Sequence, residues 1–182
     1  MLNHAQVVKI RRLFLLYDSD RDGRLTRGDY ELAVARFQAH IGAADTSPRV
    51  LRMRELLVGR CWAANAVMDG DGDGMISVDE FVTAHERLLA AVDAEQQLRD
   101  RAAVLFEVID EAGRGEMSLA DYLAAFSAWG APEESVRRSF RVIDSDGSGR
   151  VTRDEFEEHS IAYFRTDDLN GPGAAFFPHP SP

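Results

Sequence analysis

Cysteine is nearly absent: Cys61 is the only one in 182 residues. No internal disulfide can form and no cysteine-based zinc site is available, so Cys61 is expected as a buried apolar residue. Long apolar runs are missing too. None approaches the roughly 20 residues of a spanning helix, and Met1 to Arg12 lack the basic end, apolar stretch and small-residue cleavage site of a signal peptide. The expectation is a cytoplasmic monomer with no membrane partner. Positive charge is also short, with 21 Lys and Arg against 31 Asp and Glu for a net charge of -10. That balance excludes a nucleic-acid backbone, whose binding depends on basic patches that release counterions. Cations are the natural partners.

Catalytic patterns are likewise lacking. The histidines, His4, His40, His85, His159 and His179, fall far apart with no acid or nucleophile arranged around them, and no glycine loop of the phosphate-cradling kind occurs. An enzyme is not expected. His85 and His159 are read as packed or solvated side chains. What the chain does have is 45% hydrophobic residues, enough to bury a core as one domain or two small lobes, and clusters of acids.

Those acids recur in twelve-residue frames at Asp18 to Asp29, Asp69 to Glu80 and Asp144 to Glu155, with a fourth frame, Asp110 to Asp121, that has lost ligands. Calcium takes about six to eight oxygens, which such a loop supplies from positions 1, 3, 5, 7, 9 and 12. In the second loop these are Asp69, Asp71, Asp73, the Met75 carbonyl, Ser77 and Glu80. Gly74 holds position 6, where the chain turns through a region a Cβ penalises. Clustered carboxylates repel one another, and a divalent ion relieves that repulsion.

Helical patterning flanks every frame. Ile10, Leu13, Phe14 and Tyr17 recur at spacings of three and four before the first loop, as do Leu105, Phe106 and Ile109 before the third and Val136, Phe140 and Ile143 before the fourth. A Phe stands four residues ahead of each of these loops. The second loop has Asn65 there, with Trp62 and Met68 as its apolar contacts, which predicts a looser or differently angled entering helix. An aromatic residue follows position 12 each time: Tyr30, Phe81, Tyr122 and Phe156. Val34 and Phe37, Leu88 and Leu89, Phe126 and Trp129, and Tyr163 and Phe164 extend the same faces. Position 8 is always apolar (Leu25, Ile76, Met117, Val151), which predicts short strand pairings of Leu25 with Ile76 and of Met117 with Val151.

The segments DSDRDGRLTRGD, DGDGDGMISVDE and DSDGSGRVTRDE, in register with flanking helices, resemble the EF-hand superfamily. The resemblance implies an all-α fold of four helix-loop-helix units in two packed pairs, with two-stranded β-bridges between paired loops. The uneven spacing of the loops, the blocked third copy and the chain length resemble the sarcoplasmic calcium-binding proteins and bacterial calerythrin. These are compact four-unit proteins with some silent copies, generally read as buffers.

The loops are unequal. The fourth offers Asp144, Asp146, Ser148, the Arg150 carbonyl, Thr152 and Glu155, and with the second it is expected to hold calcium. The first offers Asp18, Asp20, Asp22, the Arg24 carbonyl, Thr26 and Asp29. Aspartate is one methylene shorter than glutamate, so binding through both oxygens would require the loop to tighten; monodentate ligation would favour magnesium or an extra water. Calcium or magnesium is expected there. In the third loop Ala112 and Arg114 replace ligands at positions 3 and 5 and Asp121 ends the frame, while Gly115 keeps the turn. Its expected role is to pair with and support the fourth.

The connector between the first two loops holds Gly42, Asp45, Thr46, Ser47 and Pro48, which should stop one helix after Phe37 to Ile41 and start another near Pro48. Ala90 to Arg99 reads as continuing or adjoining helix, so the halves should pack closely. The expected organisation is a pair over residues 1–92, a second over 93–165 and a tail over 166–182. Prolines exclude regular helix from that tail, yet Phe176 and Phe177 predict that it docks into a groove between the lobes.

Two functions remain open: a buffer or storage protein binding two or three ions, and a sensor that exposes an apolar groove to a target protein. Sensors often use Met-rich grooves. Here Met53, Met68, Met75 and Met117 are scattered, which favours the buffer; a target protein is possible but not implied.

Overall fold

Each frame ends in a Ser or Thr at position 9 and a carboxylate at position 12, and this spacing is also that of a helix capping box. The computed structural model, which describes residues 1–110, 112–169 and 171–178, shows all four boxes formed. Thr26, Ser77, Ser118 and Thr152 are the N-caps of helices α2 (Arg27–Ile41), α5 (Val78–Ala90), α7 (Leu119–Ala128) and α9 (Arg153–Arg165). In the first, second and fourth loops the side chains that start the exiting helices are therefore also the candidate ion ligands at positions 9 and 12.

The entering helices are α1 (His4–Tyr17), α6 (Ala94–Ile109) and α8 (Glu133–Ile143) for the first, third and fourth loops. The second loop is entered differently. Helix α3 (Pro48–Arg54) begins at the expected proline, passes into a wider π-helical stretch, Glu55–Cys61, and resumes as the short α4 (Trp62–Ala66). The anticipated irregularity is thus a change of helical pitch, and it brings Asn65 into the interior. Buried there, Asn65 donates to the Tyr30 hydroxyl at 2.6 Å and accepts from Arg101 at 3.2 Å. A polar link between the halves replaces the apolar Phe of the other units.

Strands β1 (Arg24–Leu25) and β2 (Ile76–Ser77) pair antiparallel with Leu25 opposite Ile76, and β3 (Glu116–Ser118) pairs with β4 (Arg150–Thr152) with Met117 opposite Val151. All four position-8 side chains are fully buried. The predicted all-α architecture with two β-bridges is the one observed. Helix α2 ends at Ile41 on Gly42, whose left-handed φ of 62° suits a glycine C-cap. Residues 91–93 break α5 from α6, so that link is adjoining rather than continuous.

The two pairs touch directly, α2 against α7 and α1 against α9. Trp129 stands edge-on to Tyr30 at 5.4 Å and tilted on Tyr17 at 5.0 Å, carrying one apolar cluster across the junction. Lys9, the chain's only lysine, is buried and donates to the carbonyls of Tyr163 and Thr166, tying α1 to the end of α9. Cys61 is only half-buried, short of the full burial expected, because the π-helical stretch leaves it beside a cavity. Burial still pushes its thiol up to about 12. His179 lies outside the described residues.

His85 packs between Phe81 and Phe164, its Nδ1 2.8 Å from the Phe81 carbonyl. Burial lowers it from 6.5 to about 4; the carbonyl opposes that shift and the Arg101 guanidinium adds to it. The folded state therefore holds neutral imidazole while the unfolded chain takes a proton below 6.5. This contribution to stability is complete above 6.5 and is lost as pH falls toward 4. We expect a loss of about 2 kcal/mol between pH 6.5 and 5 from this group. Urea unfolding of wild type and His85→Gln across that window should show a flatter profile in the variant; parallel profiles would refute it.

Candidate metal centres

Position 1 organises each loop. Asp18 accepts from Gly23 N–H at 3.0 Å, Asp69 from Gly74 at 2.9 Å, Asp110 from Gly115 at 2.7 Å and Asp144 from Gly149 at 3.0 Å. The glycines at position 6 have φ of 78° to 84°, the region a Cβ penalises. Position 4 needs a left-handed residue as well. Gly72, Gly113 and Gly147 meet that need, whereas the first loop uses Arg21 at φ 62°, the one positive-φ residue other than glycine among the described residues. This demand was missed in the sequence, although glycine at position 4 of three frames is its signal. L-residues pay about 1 kcal/mol for that conformation.

Position 12 bridges the loop from end to end. Glu80 accepts from Gly70 N–H at 2.9 Å with one oxygen and from Ser77 N–H at 2.8 Å with the other. Glu155 does the same with Ser145 at 3.0 Å and Thr152 at 2.9 Å. Asp29, though shorter, makes an equal bridge, to Ser19 at 2.9 Å and Thr26 at 2.8 Å. Asp18, Ser19 and Asp29 are all buried, whereas the corresponding residues of the second and fourth loops are not.

These contacts set the charge states. The backbone N–H and hydroxyl of Ser77, with Gly70 N–H, bring the Glu80 carboxyl down to about 2. At Glu155 burial acts upward but is outweighed by the Thr152 and Ser145 donors, so the group is lowered. Asp18 goes the other way. Burial raises it, with the neighbouring Asp29 and Asp22 charges adding to the effect of burial against the Gly23 hydrogen bond. A cation in the first loop would remove that penalty.

Carboxylate oxygens within 4.8 Å of one another come from Asp18, Asp20 and Asp22, from Asp69, Asp71 and Asp73, and from Asp144, Asp146 and Glu155. Hard oxygen donors packed this closely, with Thr26, Ser77, Ser148 and Thr152 at the remaining polar positions and the carbonyls of Arg24, Met75 and Arg150 at position 7, suit calcium or magnesium and no softer metal. Arg24 reaches Asp73 of the neighbouring loop at 3.6 Å, so its side chain also offsets the second cluster. In the third loop the guanidinium of Arg114 lies 2.6 Å from Asp121 Oδ2, an internal ion pair among the would-be ligands. We expect Ala112→Asp with Arg114→Asp to add one calcium-binding step in calorimetry, and an unchanged stoichiometry would contradict it.

The EF-hand family model matches residues 66–84 and 136–158, spanning the second and fourth loops. A calcium-binding protein of Streptomyces coelicolor is 30% identical, covering 87% of this chain and 97% of its own, with a TM-score of 0.69. The chain belongs to the EF-hand family and is a calcium-binding protein of that class. Among curated relatives, probable calcium-binding protein CML21 of Oryza sativa subsp. japonica is 28% identical over 165 residues, 84% of this chain and 78% of that protein. The sarcoplasmic calcium-binding protein of amphioxus shares the fold, with a TM-score of 0.70 at 19% identity over 99% of this chain and 100% of its own. No helix among the described residues is long and apolar enough to cross a membrane.

Proposed function

We propose that this chain is an intracellular calcium buffer, holding calcium in the second and fourth loops and calcium or magnesium in the first. Its ligands are Asp69, Asp71, Asp73, Met75, Ser77 and Glu80; Asp144, Asp146, Ser148, Arg150, Thr152 and Glu155; and Asp18, Asp20, Asp22, Arg24, Thr26 and Asp29. Residues 1–92 and 93–165 act as the two units, and within the tail, 166–182, the segment around Phe176 and Phe177 acts as a built-in cover. The burial of the tail carries this reading. Phe176 and Phe177 lie against the second pair, 1% and 6% exposed, on the kind of apolar surface a sensor would offer to a target. Buried Met53, Met68 and Met117 likewise leave no methionine-rich groove.

The competing reading is a sensor, favoured by the Streptomyces coelicolor protein, which is described as acting in calcium-mediated regulation. Calcium calorimetry with and without magnesium, beside binding of an apolar dye, separates them. A buffer gives two or three binding steps and little change in dye signal. A large calcium-induced rise in dye binding refutes the buffer, and a single step refutes the site count.

A further inference from the structure

Between the two pairs lies a cavity of about 320 Å³ that plays no part in ion ligation. Leu13 of α1, Phe81 of α5, Leu105 of α6 and Phe164 of α9 supply its apolar walls. Its rim reaches the surface at exposed Asp100, which accepts from Gln96 at 2.8 Å. Size and composition match a site for a small organic ligand.

Four polar groups line the same space with bonding capacity unused. His85 is 3% exposed, and because its Nδ1 faces the Phe81 carbonyl it carries its proton there, leaving Nε2 as an acceptor without a donor among the described residues. The hydroxyls of Tyr17 and of buried Ser160 make no hydrogen bond to the described residues. Arg101 donates only to the neutral Asn65 and has no carboxylate within ion-pair distance among the described residues. Native interiors leave few such groups unmet. A half-buried guanidinium without an anion, in a chain carrying 31 acids, is the sharpest of these deficits.

We propose that this cavity binds a hydroxylated aromatic carboxylate, its anion on Arg101, its ring among Phe81, Phe164 and Tyr17, and its hydroxyl donating to His85 Nε2. Guanidinium and carboxylate match in charge and in their two-pronged geometry. The aromatic walls favour a flat ring over an alkyl chain through edge and offset contacts. Calcium binding and this site use separate residues, so each can fail alone.

The test is calorimetry on the full calcium-loaded chain with 6-hydroxy-2-naphthoate, beside its neutral primary amide. One molecule of the acid should bind, at least tenfold tighter than the amide. The acid should also slow the reaction of Cys61, which lines the cavity, with a disulfide reagent more than the amide does. Arg101→Gln should erase the preference while leaving the calcium isotherm unchanged. Absence of binding, which would mean a water-filled cavity, overturns the proposal. So does equal affinity of acid and amide for wild type, or a preference that survives in Arg101→Gln. Should that variant misfold, the wild-type comparison and Cys61 protection still decide.

Discussion

Glu80→Gln is expected to weaken calcium binding at the second loop on the order of a hundredfold to a thousandfold, because site affinity follows ligand charge and the two-oxygen grip at position 12. The neutral amide can still accept from Gly70 or Ser77 through its oxygen, so the capping box weakens without disappearing. The effect should therefore fall on affinity far more than on the fold. In wild type Glu80 stays ionised to about pH 2, so protons do not compete for this ligand near neutrality. Calorimetry should show one high-affinity step displaced while the step at the fourth loop is kept. A change under threefold would mean that position 12 does not ligate.

Phe176→Ala should destabilise the second pair by about 3–5 kcal/mol, the usual cost of emptying a buried phenylalanine site. The ring packs on Phe156 at 4.8 Å and Tyr163 at 6.2 Å, and the Phe176 carbonyl accepts from Tyr122 at 3.2 Å and from Ser139. The backbone bonds survive the substitution and the ring contacts do not. Chemical denaturation measures the loss, and apolar-dye binding should rise as Phe156 and Tyr163 lose cover. A cost under 1 kcal/mol would show that the tail leans on the domain without supporting it. The docking differs from the expectation of a groove between lobes. Phe176 enters the second pair against α8 and α9, and only Phe177 reaches the cavity at the junction. A short 3₁₀ turn, Pro172–Ala175, leads into both rings.

Much of the fold was legible because EF-hand geometry is local. Position 8 must be apolar to pair across the bridge, and the pairings of Leu25 with Ile76 and Met117 with Val151 follow from loop position alone. Asn65 shows the limit. Its place in the repeat marked an irregular helix, but its partners Tyr30 and Arg101 are 35 and 36 residues away, and no periodicity announces a hydrogen bond of that reach. The compensation at Asp29 was hidden for a related reason. Its length suggested ligation of the ion through one oxygen, and its bridge to the Ser19 and Thr26 amides is seen only in the folded loop.

By itself, then, the sequence determined the unequal loops, which depend on residues within twelve positions of one another, and the short strands, which follow from the apolar residue at position 8 of each loop. Tertiary structure alone decided where the tail packs, how Asn65 joins the halves, and that Tyr17, His85, Arg101 and Ser160 meet around one cavity. Those outcomes come from helices far apart in the chain, whose mutual placement is settled by how their buried side chains fill space rather than by any spacing along it.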